Sequence, residues 1–480
     1  MHKMRKQVFI YAGLAAMGLC FAVFILWYNR RNVPGEDVYM IIRRNFFDMV
    51  LDAVRRQGRV LIVDHESAWY YYLAYFARLM GISQAHKMLF IVQMGAAAAA
   101  VGCYPVVFYR LTRSLAAAVA SPFLLCWLLG RQLWGFRTDG YWAYAWVIIT
   151  VLPLAVLLFK QPVIVKPIGK RAIIRANFSS DQGRGRSRIG NTATDDDAEL
   201  AEKTPEDGSF SNWLDYIWRA VPVFIAALLL CGLANLPRGH AALPVYGVIV
   251  VFAIIKLFRK KIKPLAILAV AMLAVVCSYN LFTSVLPSVL FKGYGYENAY
   301  FGVWHTLYIG LGVDEENPYN ITFNDACANA RAAELNPDAI YPGAAPNDLY
   351  FEVLKNEYTK IVRENPLFVL KTYARKFFRA VNEIYLSLKR AVEFWIVLAA
   401  DVAAMLFLRL RRRKKMKDYA PWGPPLLWAC GCTVFTAMLP AMIAMPRVFY
   451  MQGSFAAVRL MAVFLCLIAI VGFTRYEQAN

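Results

Sequence analysis

The chain has 480 residues, of which 59% are hydrophobic and only 18% charged, and its mean hydropathy is +0.43. Soluble domains carry about 25% charged residues, so soluble enzyme classes are excluded and an integral membrane protein is expected. The net charge of +21 reads in such a chain as a set of cytoplasmic topology signals, and no nucleic-acid partner is expected.

The first six residues are basic, and residues 8–28 form an apolar run. That run is too long for a signal-peptide core and has no small-x-small cleavage site, so it is expected to remain as the first membrane helix. By the same length rule, about 20 residues per crossing, further spans are expected at 87–109, 115–132, 140–159, 213–236, 242–258, 264–288, 391–408, 421–445 and 453–474. Ten spans put both ends on one side. The short loops at 110–113, 160–188, 259–263 and 409–417 are basic, which places the N-terminus in the cytoplasm. A multi-pass protein of the cell membrane follows, with a bacterial inner membrane as the natural setting.

Five segments result: an N-terminal membrane module (1–160) with a first outer loop (29–86), a cytoplasmic linker (161–212), membrane helices (213–290), an extracytoplasmic region (291–390) and C-terminal membrane helices (391–480). Within the linker, 179–207 is too poor in apolar residues to order itself. Eight of the nine cysteines lie in apolar runs, only Cys327 is in a polar segment, and none has zinc spacing. They read as small buried hydrophobes.

In the first outer loop, Gly35-Glu36-Asp37-Val38-Tyr39 follows the first span directly. An acid there suits a general base acting at the membrane surface, and equally suits a helix start. From 37 to 57, Tyr39, Ile42, Phe46, Val50 and Val54 recur at helical spacing with basic residues between them, as in a helix lying on a membrane surface. The string at 63–82 then sets Asp64, His65 and Glu66 before a run of aromatic residues. Three consecutive polar residues rarely converge on one ion, and the aromatic run alone reads as an interfacial belt.

Together these features resemble the GT-C glycosyltransferases, in particular the protein O-mannosyltransferase and lipid A aminoarabinose transferase branch. The resemblance covers about residues 1–160 and rests on the acidic pair after the first span and on the polar string leading into Tyr70-Tyr71. Two departures stand out: the pair is reversed, Glu36-Asp37, and Glu66-Ser67-Ala68 stands where the family has Pro-Pro. The resemblance implies an all-α polytopic GT-C-like fold. It also implies inverting transfer of a sugar from a polyprenyl-phosphate donor to a lipid, glycan or protein acceptor at the extracytoplasmic face. Asp37 would be the base, with Glu36 as second choice, and Tyr39 would bind substrate. His65 and Glu66 would position donor or metal, and Asp139, in the second outer loop, would orient them. In that loop Arg131 and Arg137 match phosphate oxygens, or else flank the helices and snorkel. No cofactor is fixed by the sequence; a divalent cation is the candidate.

Further along, Trp304-His305-Thr306-Leu307-Tyr308 opens the long outer region. Trp304 and Tyr308 suit stacking on a sugar, and His305 either lines the site or supports a packed loop. Asp314, Glu315 and Glu316 match no EF-hand spacing and read as solvated loop acids. The later half is expected to be helical, with Leu349, Val353, Tyr358, Ile361 and Val362 on one face and Pro366 starting a second helix.

Walker A, GxGxxG and HExxH strings are all lacking, so the energy for reaction must arrive in the substrate. The rivals are a transporter or flippase for lipid-linked sugars and a polysaccharide polymerase or ligase. Transporters place charges mid-span. Here Asp215, Arg219, Lys256 and Asp401 are expected near span ends, with Arg459 the main exception, which favours the enzyme.

Overall fold

The structure, a computed structural model, describes residues 2–29, 38–60, 67–83, 85–134, 142–159, 225, 229–239, 241–258, 262–296, 303–314, 316–339, 348–411, 423–448 and 450–477. A large unit comprises Met1–Val156 and Ala227–Asn480, and a smaller one Leu157–Ala226. Only the end of one helix and Ile225 are described in the smaller unit. Among the described residues all regular structure is helical.

The long helix α1 (His2–Asn29) is followed by the shorter α2 (Val38–Arg56) and α3 (Ser67–Leu79), and then by α4 (Ala85–Thr112), α5 (Leu115–Trp134) and α6 (Trp142–Phe159). Helix α1 packs on α4 at a pair of glycines. A Cβ on Gly18 would stand 2.0 Å from the Gly102 carbonyl oxygen, so the two backbones touch. Such close approach between apolar helices is the usual use of small residues in membranes. Helices α4 and α5 are joined by a tight turn in which Arg113 takes φ 59° and the Ser114 hydroxyl accepts from the Ala117 N–H. Tyr104 of α4 ties α6 in by donating to the Ile149 carbonyl at 2.8 Å.

The C-terminal part begins with a helical stretch at 229–235 and α7 (Leu243–Phe258). Helix α8 (Ile262–Asn280) runs through a π-helical turn (Leu281–Val285) into α9 (Leu286–Leu290). The region expected to lie outside the membrane, called the outer region below, then carries α10 (Val303–Ile309), α11 (Asp325–Leu335), α12 (Asp348–Glu364) and α13 (Pro366–Lys389). The chain ends with α14 (Val392–Arg411), α15 (Gly423–Ala437), α16 (Leu439–Ile443) and α17 (Gln452–Glu477). Helix α17 lies against α5, α14 and α15, and α7 packs on α15 and α8. Gly453 lets α17 sit close to α15, since a Cβ there would stand 3.0 Å from the Ala437 Cβ.

Among the described residues, five helices are long and apolar enough to cross a membrane: Gln7–Asn29, Lys87–Thr112, Met272–Leu290, Gly423–Ile443 and Gln452–Arg475. The chain is therefore read as a multi-pass helical membrane protein. Leu115–Gly130, Trp142–Pro153 and Leu243–Ile254 are apolar but shorter. Of the span expected at 213–236, most lies outside the described residues.

The outer region folds around its own core of Tyr308, Ile309, Leu311, Tyr350, Leu354 and Ile361, among others. Pro366 does start a helix, and Asn365 caps it by accepting from the Phe368 N–H at 3.1 Å. Helix α12 is rotated from the expected face. Tyr350, Leu354, Glu357 and Ile361 are buried, while Leu349, Val353, Tyr358 and Val362 pack at the edges. The reason is Tyr350 and Glu357, polar-tipped residues that the apolar pattern passes over but that find partners inside.

Candidate functional site

Many expected site residues lie outside the described residues: Glu36, Asp37, His65, Glu66, Arg137 and Asp139. Tyr39 is in the first turn of α2 and Arg131 in the last turn of α5, and nothing is described of either side chain. Trp304, His305 and Tyr308 are described in full, all on α10.

Around these positions, the segments that flank the motif are tightly held. The apolar face of α2, with Phe47, Val50, Leu51 and Val54 buried, packs on α3 and α4 rather than lying free on a membrane surface. What fills that face is aromatic: the Tyr70 ring meets Phe47 edge-on at 4.6 Å. The aromatic run of α3 is correspondingly no exposed belt. Tyr70 and Tyr71 are fully enclosed and Tyr72 is 9% exposed, while Tyr75 and Phe76 remain on the surface.

Tyr71 and Tyr72 reach across to the beginning of the outer region. Phe291 stacks on Tyr71 and takes Tyr72 edge-on at 5.0 Å, and Tyr296 meets Tyr71 edge-on at 5.3 Å. Backbone bonds reinforce the seam: Val60 N–H donates to the Tyr294 carbonyl at 2.9 Å, and the Tyr71 hydroxyl donates to the Val60 carbonyl. Gly295 takes φ 88°, and a Cβ there would stand 2.8 Å from the Val60 oxygen, so only glycine fits. The Tyr296 hydroxyl donates to the Thr283 carbonyl inside the π-helical turn at 2.8 Å. Such turns occur frequently at functional sites.

One polar atom in this seam is unsatisfied. The Tyr72 hydroxyl is buried with no hydrogen-bond partner among the described residues, and burial pushes its phenol up to about 12. A buried hydroxyl without a partner costs about 1–3 kcal/mol, which makes it a candidate to meet a substrate oxygen.

In the outer region, His305 is buried between two partners. Its Nδ1 lies 2.6 Å from the Tyr350 hydroxyl and its Nε2 3.1 Å from an Asp325 carboxylate oxygen. Tyr350 donates onward to Asn329 at 3.1 Å. Trp304 is half-buried against Tyr358, with the Lys355 ammonium 5.7 Å from its ring centre. Tyr308 lies in the core, where burial raises its phenol pKa. The three α10 residues thus face different neighbours. Close by, the buried Glu357 receives Arg331 at 2.5 Å, which keeps the guanidinium firmly charged.

Three groups had no signal in the apolar pattern. Asp314, expected to be a solvated acid, is paired with both Arg375 and Arg379. Lys376, wholly enclosed, donates to the Met442 and Ile443 carbonyls, both at 3.1 Å. Asp401, expected near a span end, sits mid-way along α14 and is 3% exposed, with its Oδ2 unpartnered among the described residues. In α13 Lys376 shares the buried face with Val369, Thr372 and Ala380. Among the described residues no three His, Cys, Asp or Glu side chains stand together as an ion site.

Compared with known proteins, the chain matches no family model, no curated protein and no solved structure.

Proposed function

We propose that this protein is a GT-C-like glycosyltransferase of the cell membrane. It takes a sugar from a polyprenyl-phosphate donor and transfers it, with inversion, to a lipid, glycan or protein acceptor at the extracytoplasmic face. Asp37, or failing it Glu36, removes the acceptor hydroxyl proton, a role worth about 10² to 10⁴ in rate. Arg131, Arg137 or a divalent cation stabilises the departing phosphate, with His65, Glu66 and Asp139 arranging the donor. The observation that carries this reading is the seam between α3 and residues 291–296. It clamps the middle of the first outer loop, at Val60, Tyr71 and Tyr72, to residues 291–296 and leaves the Tyr72 hydroxyl without a partner among the described residues.

The test is transfer of labelled sugar from a panel of polyprenyl-phosphate donors in membranes carrying the wild type, Asp37→Asn or Glu36→Gln. Wild-type transfer that falls at least about 100-fold in one variant supports the enzyme and selects the base. One observation favours a second reading, a flippase for lipid-linked sugars: Asp401 and Arg459 are buried within α14 and α17, and charges at that depth mark transport pathways. Membranes that transfer nothing but redistribute lipid-linked sugar between leaflets would establish that reading instead.

A further inference from the structure

Helix α13 presents three different arcs. Val369, Thr372, Lys376 and Ala380 are buried. Ala380 joins Met438 and Ala441, at the end of the span Gly423–Ile443, and Met451 and Phe455, at the start of the span Gln452–Arg475. The helix is therefore fixed at the level where two membrane-crossing helices end.

On the far side, Leu367, Leu370, Phe378, Val381 and Tyr385 are exposed, Phe378 by 70%. Together with the exposed Ala374 they recur every three or four residues, so they form one stripe along the helix. Along one edge of that stripe run Lys371, Arg375, Arg379 and Lys389, all exposed. Arg375 and Arg379 share the single carboxylate of Asp314, with Arg379 at 2.9 Å, so the pair keeps a net positive charge. The one acid of the helix, Glu383, is half-buried and follows Arg379 by one turn at the inner border of the ridge, between the buried Thr372 and Lys376 positions of the helical register, so the four bases of the ridge outnumber it.

From this geometry we infer that α13 lies in the headgroup layer and binds anionic phospholipid headgroups. An apolar stripe opposite the protein-facing side, at the depth where spans end, meets acyl chains. A basic ridge at its edge meets phosphate. Basic residues beside a membrane attract anionic lipid with about 1 kcal/mol each, and guanidinium groups held by a carboxylate are pre-oriented for phosphate oxygens. The site holds on whichever side of the membrane this end of the spans lies, and it is independent of the sugar-transfer reading.

The full-length protein, reconstituted in phosphatidylcholine vesicles with or without an equal share of phosphatidylglycerol, tests this in two ways. Amide hydrogen exchange along 366–390 should slow when phosphatidylglycerol is present, and exchange along α11 and α12 should not. Spin-labelled phosphatidylglycerol should associate in preference to spin-labelled phosphatidylcholine. That preference should drop at least about three-fold in the variant Lys371→Gln, Arg375→Gln, Lys389→Gln, which spares the Arg379–Asp314 pair. The same charge loss on α12, by Lys355→Gln, Lys360→Gln and Arg363→Gln, should leave it unchanged. Equal exchange in both wild-type vesicle types overturns the proposal even if the triple variant fails to fold, as does an equal drop in both sets of variants.

Discussion

At Lys376 an amine is enclosed among carbonyls and apolar groups, and burial pulls its pKa from 10.5 down to about 7. A neutral amine has two N–H groups, and both are spent on the last carbonyls of α16. The absence of a side chain on Gly310 makes room for this, since a Cβ there would stand 2.8 Å from the Lys376 nitrogen and 2.4 Å from the Ile443 oxygen. Between about pH 7 and 10.5 the unfolded chain holds a proton that the folded chain lacks. Stability therefore rises with pH across that window. Lys376→Met keeps the stem and removes the titration, so its thermal midpoint in detergent should lose that rise relative to the wild type. Parallel profiles for the two proteins would show that the amine stays charged.

Among elements, the crossing of α1 on α4 depends on two side chains that are missing. Neither helix is amphipathic, and in a bilayer apolar surface alone does not hold helices together. Contact instead comes from backbone against backbone at Gly18 and Gly102. Gly18→Val forces the helices apart and should cost about 1–3 kcal/mol. Gly13→Val, on the same helix but with nothing within 4 Å of its Cβ, should be nearly neutral. Comparing the two midpoints in detergent checks this, and an equal loss would mean that the crossing contributes little. The helix α2 follows a different rule: its apolar stripe finds a partner in α3, so the pair forms a buried helical hairpin beside α4.

For the whole molecule, the decisive contact is the one between the first outer loop and the outer region, made by Phe291 with Tyr71, Tyr72 and Tyr75. Arg78 adds hydrogen bonds to the Val54 carbonyl at 2.8 Å and the Tyr294 hydroxyl at 3.3 Å. Phe291→Ala should weaken this seam by about 3 kcal/mol while leaving the outer core around Tyr350 intact. Limited proteolysis within residues 29–86 should accelerate while cleavage of α11 and α12 keeps its rate. Unaltered cleavage in both places would mean that the loop is held by α4 alone.

The helical character of the chain, five of the ten expected spans, a helix beginning within a residue of Asp37 and the start at Pro366 were legible in the sequence, because periodicity, hydropathy and capping are local properties of neighbouring residues. The acidic pair and the polar string were equally legible as motifs, since they are short and contiguous. Which surface each apolar face would cover was not. The partners of Tyr71 and Tyr72 lie some 200 residues away in the chain, as Arg78 and Tyr294 are 216 apart, and nothing in the α3 pattern distinguishes a ring facing lipid from one facing Phe291. Lys376 and Asp401 look like any charged residue in sequence. Only the packing of α13 on α16 and of α14 on α17 takes them out of water, because burial is decided by which distant helices close over a side chain.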